Sequence, residues 1–459
     1  MLINMIDAAA REATLFAAIW FLVGGIDDMA VDLIYAARRL KRRLRPQTGT
    51  PSPEDAPPPG RIAVFIPAWD ESAVIADMLR TALARFDHGD YLLYVGTYPN
   101  DPATIEAVAA IAANEPRVRL VVGSEMGPTT KADCLNALWR AMLRDEAAEG
   151  FTVAAVALHD AEDVVHPLEL RVYAQWLRRY AAVQLPVLPL PHPHSRFVAG
   201  HYCDEFAEAH AKSLVVRQAL GAGMPLAGVG CAVRRDMLQK IADTRGGVPF
   251  DATSLTEDYE LGLTVAAMGG ETALARVAER PGGRPVAVRA YFPDTLGAAV
   301  RQKARWLNGI ALAGWDRTGW SRAGNLGDHW MRMRDRRATL AMPVLAIAYL
   351  ALVIWGTSFG AHLVTASRPP ALPPLIEALL WANIALLGWR LMIRALFVWR
   401  AYGWREAMWS APRVFVGNLI ALLAARRALM AYARMLAGAA PRWEKTDHQF
   451  PDDPERVAA

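Results

Sequence analysis

Three acids stand within four positions of this 459-residue chain, in the stretch HDAEDVVHP at 159–167. Asp160, Glu162 and Asp163 directly follow the apolar run FTVAAVAL, which reads as a buried strand. Carboxylates at i and i+2 of an extended stretch can reach one hard cation, Mg2+ or Mn2+, of the kind that shares its oxygen ligands with phosphates. A solvated acidic turn is the alternative. A second acidic group, LTEDYELG at 255–262, puts Glu257 and Asp258 at the start of a helical pattern. Ser254 or Thr256 can cap that helix, and acids in its first turn suit its dipole. Equally, Asp258 is of a type to act as general base toward an acceptor hydroxyl.

Further stretches offer binding chemistry. In RQKARWLNG (301–309), Gln302, Arg305 and Trp306 fall at i, i+3 and i+4 and share one helix face. Arg suits a diphosphate and Trp a sugar or base wall, although an ion pair and a core position would use the same residues. TKADCLN (130–136) follows a strand and a Gly-containing turn, and its Lys131 can neutralise phosphate charge. In YPND (98–101), Asn100 and Asp101 can read a nucleobase or ribose, and Asp101 can instead cap the next helix. His192, His194, His201 and His210 read as a Pro-rich loop and a polar helix face rather than a metal site. Cys134, Cys203 and Cys231 show no metal spacing and no disulfide framework, as in a reducing compartment.

These groups need a scaffold. Between 61 and 337 the runs RIAVFIPA (61–68), YLLYVGT (91–97), VRLVVG (118–123) and TVAAVAL (152–158) read as strands. Helical patterns such as ESAVIADMLRTALARF (71–86) separate them. This alternation predicts an α/β domain with a mostly parallel sheet and helices on both faces. Ligands in such sheets bind beyond the carboxyl ends of the strands, where Asp101 and the 160–163 acids fall. A Pro-rich linker (46–60) precedes the domain.

The flanks differ. Hydrophobic residues make up 53% of the chain, which points to membrane spans. The segment 13–39 reads as an uncleaved anchor (1–45) in which Asp27 and Asp28 must face protein or an interface. Segments 338–360 and 373–399 read as a transmembrane hairpin (338–402). Segment 404–436, with Arg413, Arg426, Arg427 and Arg434, reads as an interfacial amphipathic helix within 403–459, a fourth span being the alternative. The Arg clusters at 36–45 and 332–337 put the 61–337 domain on the cytoplasmic side. No basic–aromatic motif points to nucleic acid, and no GxGxxG follows the first strand.

The order of these motifs is similar to that of the membrane-embedded family 2 glycosyltransferases of the cellulose synthase and hyaluronan synthase type. The similarity covers about residues 60–450, opens on VFIPAWDE (64–71) with Asp70 where Asn is usual, and includes PLAGVGCAVRR (225–235). The stretches AGHYCDEFAEAHAK (199–212), APRVFVGN (411–418) and WEKTDHQFP (443–451) most resemble the inner-membrane phage adsorption protein B branch. The resemblance implies a GT-A domain that transfers sugar from a UDP-sugar with inversion, extending a polysaccharide at the bacterial inner membrane. It implies that Asp101 contacts uridine, that Lys131 lies near uridine and phosphate, and that Asp160 and Glu162 bind Mg2+ or Mn2+ with Asp163 able to share. Asp258 would be the base with Glu257 beside it, and Gln302, Arg305 and Trp306 would hold the diphosphate and acceptor end. A growing glycan or lipid acceptor, membrane lipids, and an outer-membrane export partner or homo-oligomer are the implied partners. Single addition to a lipid, and an inactive membrane receptor or scaffold, are the rival readings. The stretch WEKTDHQFP (443–451) is expected to return to the catalytic side.

Overall fold

A computed structural model describes residues 1–44, 60–439 and 448–451, so the Pro-rich linker lies almost wholly outside the described residues. The first helix, α1 (Leu2–Leu44), leads to β1 (Ile62–Pro67), α2 (Ile75–Arg85), β2 (Tyr91–Thr97), α3 (Pro102–Ala112) and β3 (Val118–Val122). Next come α4 (Lys131–Glu149), β4 (Ala155–Leu158), α5 (Glu169–Trp176), β5 (Ala182–Gln184), α6 (Val198–Glu208) and α7 (Leu214–Ala219). The domain continues through β6 (Cys231–Arg234), α8 (Arg235–Asp243), α9 (Glu257–Ala267), β7 (Thr272–Leu274), α10 (Leu296–Leu307), α11 (Ala313–Thr318) and α12 (Leu326–Arg336). Three long helices follow, α13 (Ala338–Val364), α14 (Pro374–Tyr402) and α15 (Trp404–Leu436).

The seven strands form one sheet in the order β3-β2-β1-β4-β6-β5-β7. β1 pairs in parallel with β2 (Ile62 opposite Tyr91) and with β4 (Ile62 opposite Ala155), as the βα alternation predicts. β6 runs antiparallel to both β4 and β5, an exception not visible in the apolar runs. Alternate residues of β1 face opposite cores. Ile62, Val64 and Ile66 pack with Met78 and Leu79 of α2 and Tyr173 of α5. Ala63 and Phe65 pack with Leu138 and Trp139 of α4 and Ile241 of α8. Helices thus cover both faces, and the strand ends are left to carry polar residues.

α1, α13, α14 and α15 are each long and apolar enough to cross a membrane. At 43 residues α1 is about 65 Å long, more than a bilayer needs, so only part of it would be immersed. Four of its acids, Asp7, Asp27, Asp28 and Asp32, are turned to protein, as a low-dielectric surrounding requires, while Glu12 is exposed. Asp27 accepts from the Trp330 indole at 2.7 Å and pairs with Arg334. Asp28 pairs with Arg337 and Arg390, each at 2.7 Å. Asp32 takes Lys212 at 2.5 Å and the Trp389 indole at 2.8 Å, and Asp7 takes Ser358 at 2.5 Å.

α15 has two unlike sides. Ile420 packs with Tyr202 of α6 and Ala299 of α10, and Ala424 and Ala428 pack with Ala304. Trp404, Met408, Phe415 and Leu419 are exposed along the other side. Arg413, read from the sequence as an interfacial charge, is instead buried against Asp204 (3.0 Å) and Glu406.

Candidate active site

The carboxyl end of β4 and the starts of α4 and α9 open onto one cleft, closed on another side by α10. Lys131, Asp160, Glu162, Asp163, Glu257, Asp258, Gln302, Arg305 and Trp306 all line it, although 175 positions separate Lys131 from Trp306 in sequence. Lys131 is the first residue of α4, whose cap Thr130 accepts from the Asp133 amide at 3.2 Å. Its Nζ donates to Asp160 Oδ1 at 2.5 Å. Burial works against the Lys131 charge, but Asp160, Glu257 and Asp258 together hold its pKa above the ordinary range. For Asp160, burial is likewise outweighed, by Lys131, His448 and Arg305, and its pKa is lowered.

The two acids beside Asp160 have different fates. Glu162 is buried, with Oε1 3.3 Å from His448 Nε2 and Oε2 without any hydrogen-bond partner among the described residues. Burial, reinforced by Asp160 and Glu71, pushes its pKa up to about 8. Asp163 gives one oxygen to local structure: its Oδ2 takes His159 Nδ1 at 2.8 Å and the Asp160 amide at 3.1 Å. His159 is fully buried, with Glu169 on its other ring nitrogen. Burial opposes its charge, but Glu169 and Asp163 raise its pKa to about 10. Asp163 therefore shapes the 159–163 turn while still lining the cleft beside Asp160 and Glu162.

Asp101 takes up the helix-cap alternative that its position also offered. It does not line the cleft; its carboxylate accepts from the Thr104 amide at 3.3 Å, capping α3, and from the Asp70 amide at 2.5 Å. That second bond fixes the β1 turn, where Asp70 has φ +54°, a conformation Asp tolerates better than most residues.

Glu257 and Asp258 begin α9 at the cleft wall. Burial and the neighbouring Asp258 push Glu257 up to about 7, and burial also raises Asp258. Thr256 occupies the cap position, yet its hydroxyl makes no cap bond. It donates to the Gly309 carbonyl at 2.9 Å, in the widened turn Asn308–Leu312 that follows α10. The acid-bearing helix is thus fastened to the Gln302/Arg305/Trp306 helix. Gly228 (φ +74°) lies against Asp258: a Cβ there would stand 2.5 Å from Oδ2 and 3.2 Å from Lys131 Nζ.

α10 presents Gln302, Arg305 and Trp306 to the cleft as the spacing predicts. Among the described residues Arg305 makes no ion pair, and Gln302 Oε1 is buried without a partner. Trp306 stands in an aromatic group with Tyr202, Phe206 and Phe292. Sequence reasoning did not single out Gly228, Thr256 as a fastener, or His448. The last had one signal, the expected return of WEKTDHQFP to this side, of which the described residues 448–451 do return.

One end of the cleft offers oxygen donors and cations for a diphosphate, the other an aromatic wall. The family profile described as "Glycosyltransferase like family 2" matches residues 58–309, more than half of the chain. The chain belongs to that family. It is 35% identical over 471 residues to "Bacteriophage adsorption protein B" of Escherichia coli (strain K12) and to "Bacteriophage N4 adsorption protein B" of Escherichia coli O157:H7. These alignments take in 95% of this chain but only 61% of either relative's length. A mannosyltransferase from Pyrobaculum calidifontis, solved in complex with GDP-Man and Mn2+, superposes with a TM-score of 0.51 at 16% identity, over 94% of this chain and 99% of its own. The likeness is one of GT-A fold, which this chain combines with four helices long and apolar enough to cross a membrane.

Proposed function

We propose that this transferase moves a sugar from a UDP-sugar to the end of a growing glycan, with inversion at the anomeric carbon. The observation that carries the reading is the meeting of Asp258 with Lys131, Asp160, Glu162, Arg305 and Trp306 in one cleft. Asp258 takes the proton of the acceptor hydroxyl as that oxygen attacks the anomeric carbon from the side opposite the diphosphate. Lys131 and Arg305 face the phosphates with positive charge, held by the protein in advance of the reaction. Trp306 and its aromatic neighbours give the acceptor sugar a flat wall. Glu257, kept partly protonated near neutral pH, limits the negative charge beside Asp258.

A divalent cation fits this donor set. Asp160 and Glu162 are hard oxygen ligands, and Glu162 Oε2 is a buried acceptor with no other partner among the described residues. Bound there, Mg2+ or Mn2+ offsets charge on the departing diphosphate. Among the described residues no three ligating side chains already form a finished site, which suits an ion that shares its ligands with the nucleotide.

The domain 61–337 would face the cytoplasm of an inner-membrane protein, where nucleotide sugars are. The two-sided α15 supports a helix lying at the interface on α6 and α10, with α1, α13 and α14 crossing. The test is UDP release by the purified, detergent-solubilised protein across a panel of UDP-sugars with Mg2+, Mn2+ or EDTA, followed by product sizing. Metal-dependent release with one sugar and long products is expected. Short, lipid-linked products would favour single addition, and neither release nor UDP binding would overturn the reading.

A further inference from the structure

We propose that Arg39 and Arg42 of α1, Arg276 just past β7 and Arg400 of α14 form a site for the phosphate headgroup of an anionic phospholipid. The inference goes beyond sugar transfer, and only its placement at the cytoplasmic leaflet rests on the orientation given above. The four arginines come from three segments that meet where the catalytic domain joins the long helices. Tyr35 and Phe397 mark the centre, with ring centroids 5.4 Å apart in an edge contact between α1 and α14. The Arg400 guanidinium lies 5.9 Å from the Phe397 ring, and Arg276 faces the Tyr35 hydroxyl. Arg276 also donates to the Ala211 carbonyl at 3.1 Å, in the widened turn Ala209–Ser213 after α6. Desolvation, and then repulsion from the nearby Arg42 and Arg39, lower the Arg276 pKa against the pull of Tyr35.

Charge is balanced on one side of this junction and not on the other. Toward the helix bundle the cations have acids: Lys212 takes Asp32 at 2.5 Å, Arg390 takes Asp28 at 2.7 Å, and Arg394 lies 3.4 Å from Glu208. Among the described residues Arg39, Arg42, Arg276 and Arg400 pair with no acid, and Arg39, Arg42 and Arg400 are exposed. Like charges gathered without acids repel one another, and a phosphate between them turns that cost into attraction. A lipid is the source that the surroundings favour over a free phosphate. The site lies between two membrane-length helices, and the exposed Trp399 and Trp404 flank Arg400 as indole rings do at headgroup level. Basic pockets in that position, on the cytoplasmic side, suit anionic headgroups. β7 is the edge strand of the sheet, so a headgroup here would fasten that edge of the catalytic domain to α1 and α14.

The probe is phosphatidylglycerol added to the full chain in detergent, with phosphatidylcholine of the same acyl chains as its control, read by native mass spectrometry. Retention of phosphatidylglycerol in excess of phosphatidylcholine is expected. Its affinity should fall about 5-fold in each of Arg42→Gln, Arg276→Gln and Arg400→Gln, and further when Arg42→Gln and Arg400→Gln are combined. Arg42 and Arg400 are exposed and pair with no acid, so thermal unfolding of their variants should match the unaltered protein even if Arg276→Gln loosens the turn at Ala211. Arg426→Gln changes an exposed arginine of α15 outside the junction and should retain the lipid unchanged. Equal retention of the two lipids would overturn the proposal. Equal loss in Arg426→Gln would also overturn it, since retention would then follow general surface charge. Inorganic phosphate bound at these arginines without retained lipid would overturn the lipid assignment. Selective retention by a protein that releases no UDP would support this site and count against the transfer reading alone, so the two fail separately.

Discussion

Gly228 and Asp258 lie so close that a Cβ on Gly228 would stand 2.5 Å from Asp258 Oδ2. The backbone at Gly228 also has φ +74°, where an L-residue with a side chain costs about 1–2 kcal/mol. The space therefore belongs to the carboxylate. Gly228→Ala must push Asp258 away from Lys131 or shift the 225–230 turn. Turnover should fall about 100-fold, the size of effect that a displacement of about 1 Å produces at a reacting group. Melting temperature should drop only slightly. Turnover within threefold of the unaltered protein would show that Asp258 tolerates the shift and is not the base.

The Thr256 hydroxyl gives up a helix cap to reach Gly309, a residue whose own missing side chain makes the approach possible: a Cβ there would meet Thr256 Oγ1 at 2.6 Å. Thr256→Val keeps the shape and loses the bond, a buried polar loss of about 1–3 kcal/mol. The helix carrying Glu257 and Asp258 is then free to move relative to Arg305. We expect turnover to fall on the order of 10-fold with UDP affinity unchanged, and Thr256→Ser to restore it. Equal loss in the Val and Ser variants would place the effect in packing rather than in the hydroxyl.

Three of the first four strands were legible as apolar runs buried on both faces like Ile62–Pro67, and β3 by its Val and Leu residues although only Val118 of it is buried. Ala182–Gln184, Cys231–Arg234 and Thr272–Leu274 were not, since three or four residues carry no period that separates strand from loop. Most cleft residues were legible from residue type at strand ends and helix starts. Asp101 and Asp163 looked the same by those signs, and only their neighbours, the Thr104 and Asp70 amides and His159, show the local bonds each also makes. His448 was beyond such reasoning because its partners Glu71 and Glu162 lie 377 and 286 positions away.

Acids crowded for chemistry should weaken the fold as pH rises. Glu257 has a folded pKa raised to about 7, against an ordinary value of 4.5, because burial and Asp258 oppose its charge. Below the ordinary value both states are protonated and Glu257 is neutral to stability. Between the two values the unfolded chain loses its proton first, so stability falls as pH rises and the full penalty is present above about 7. Glu257→Gln should accordingly raise the melting temperature at pH 8 and change it little at pH 4.5. Turnover of the unaltered protein should rise with pH as Asp258, also raised by burial, becomes ionised. A melting-temperature gain of equal size at both pH values would assign the gain to something other than charge.

Arg413 joins α15 to the catalytic domain and is the test of how that helix is held. Its guanidinium donates to Asp204 Oδ1 at 3.0 Å, to the Arg196 carbonyl at 2.8 Å and to Glu406, and both Arg413 and Asp204 are buried. Arg413→Ala strands Asp204 without its counter-charge, a loss of about 3–5 kcal/mol for a broken buried pair. Removing both charges in Arg413→Met with Asp204→Leu should recover most of that, because the pair exists to satisfy one buried charge with another. The reading is checked by thermal unfolding in detergent, with the single and double variants compared. If the single variant unfolds like the unaltered protein, the buried pair carries little energy and α15 is held by its packing against α10 and α14.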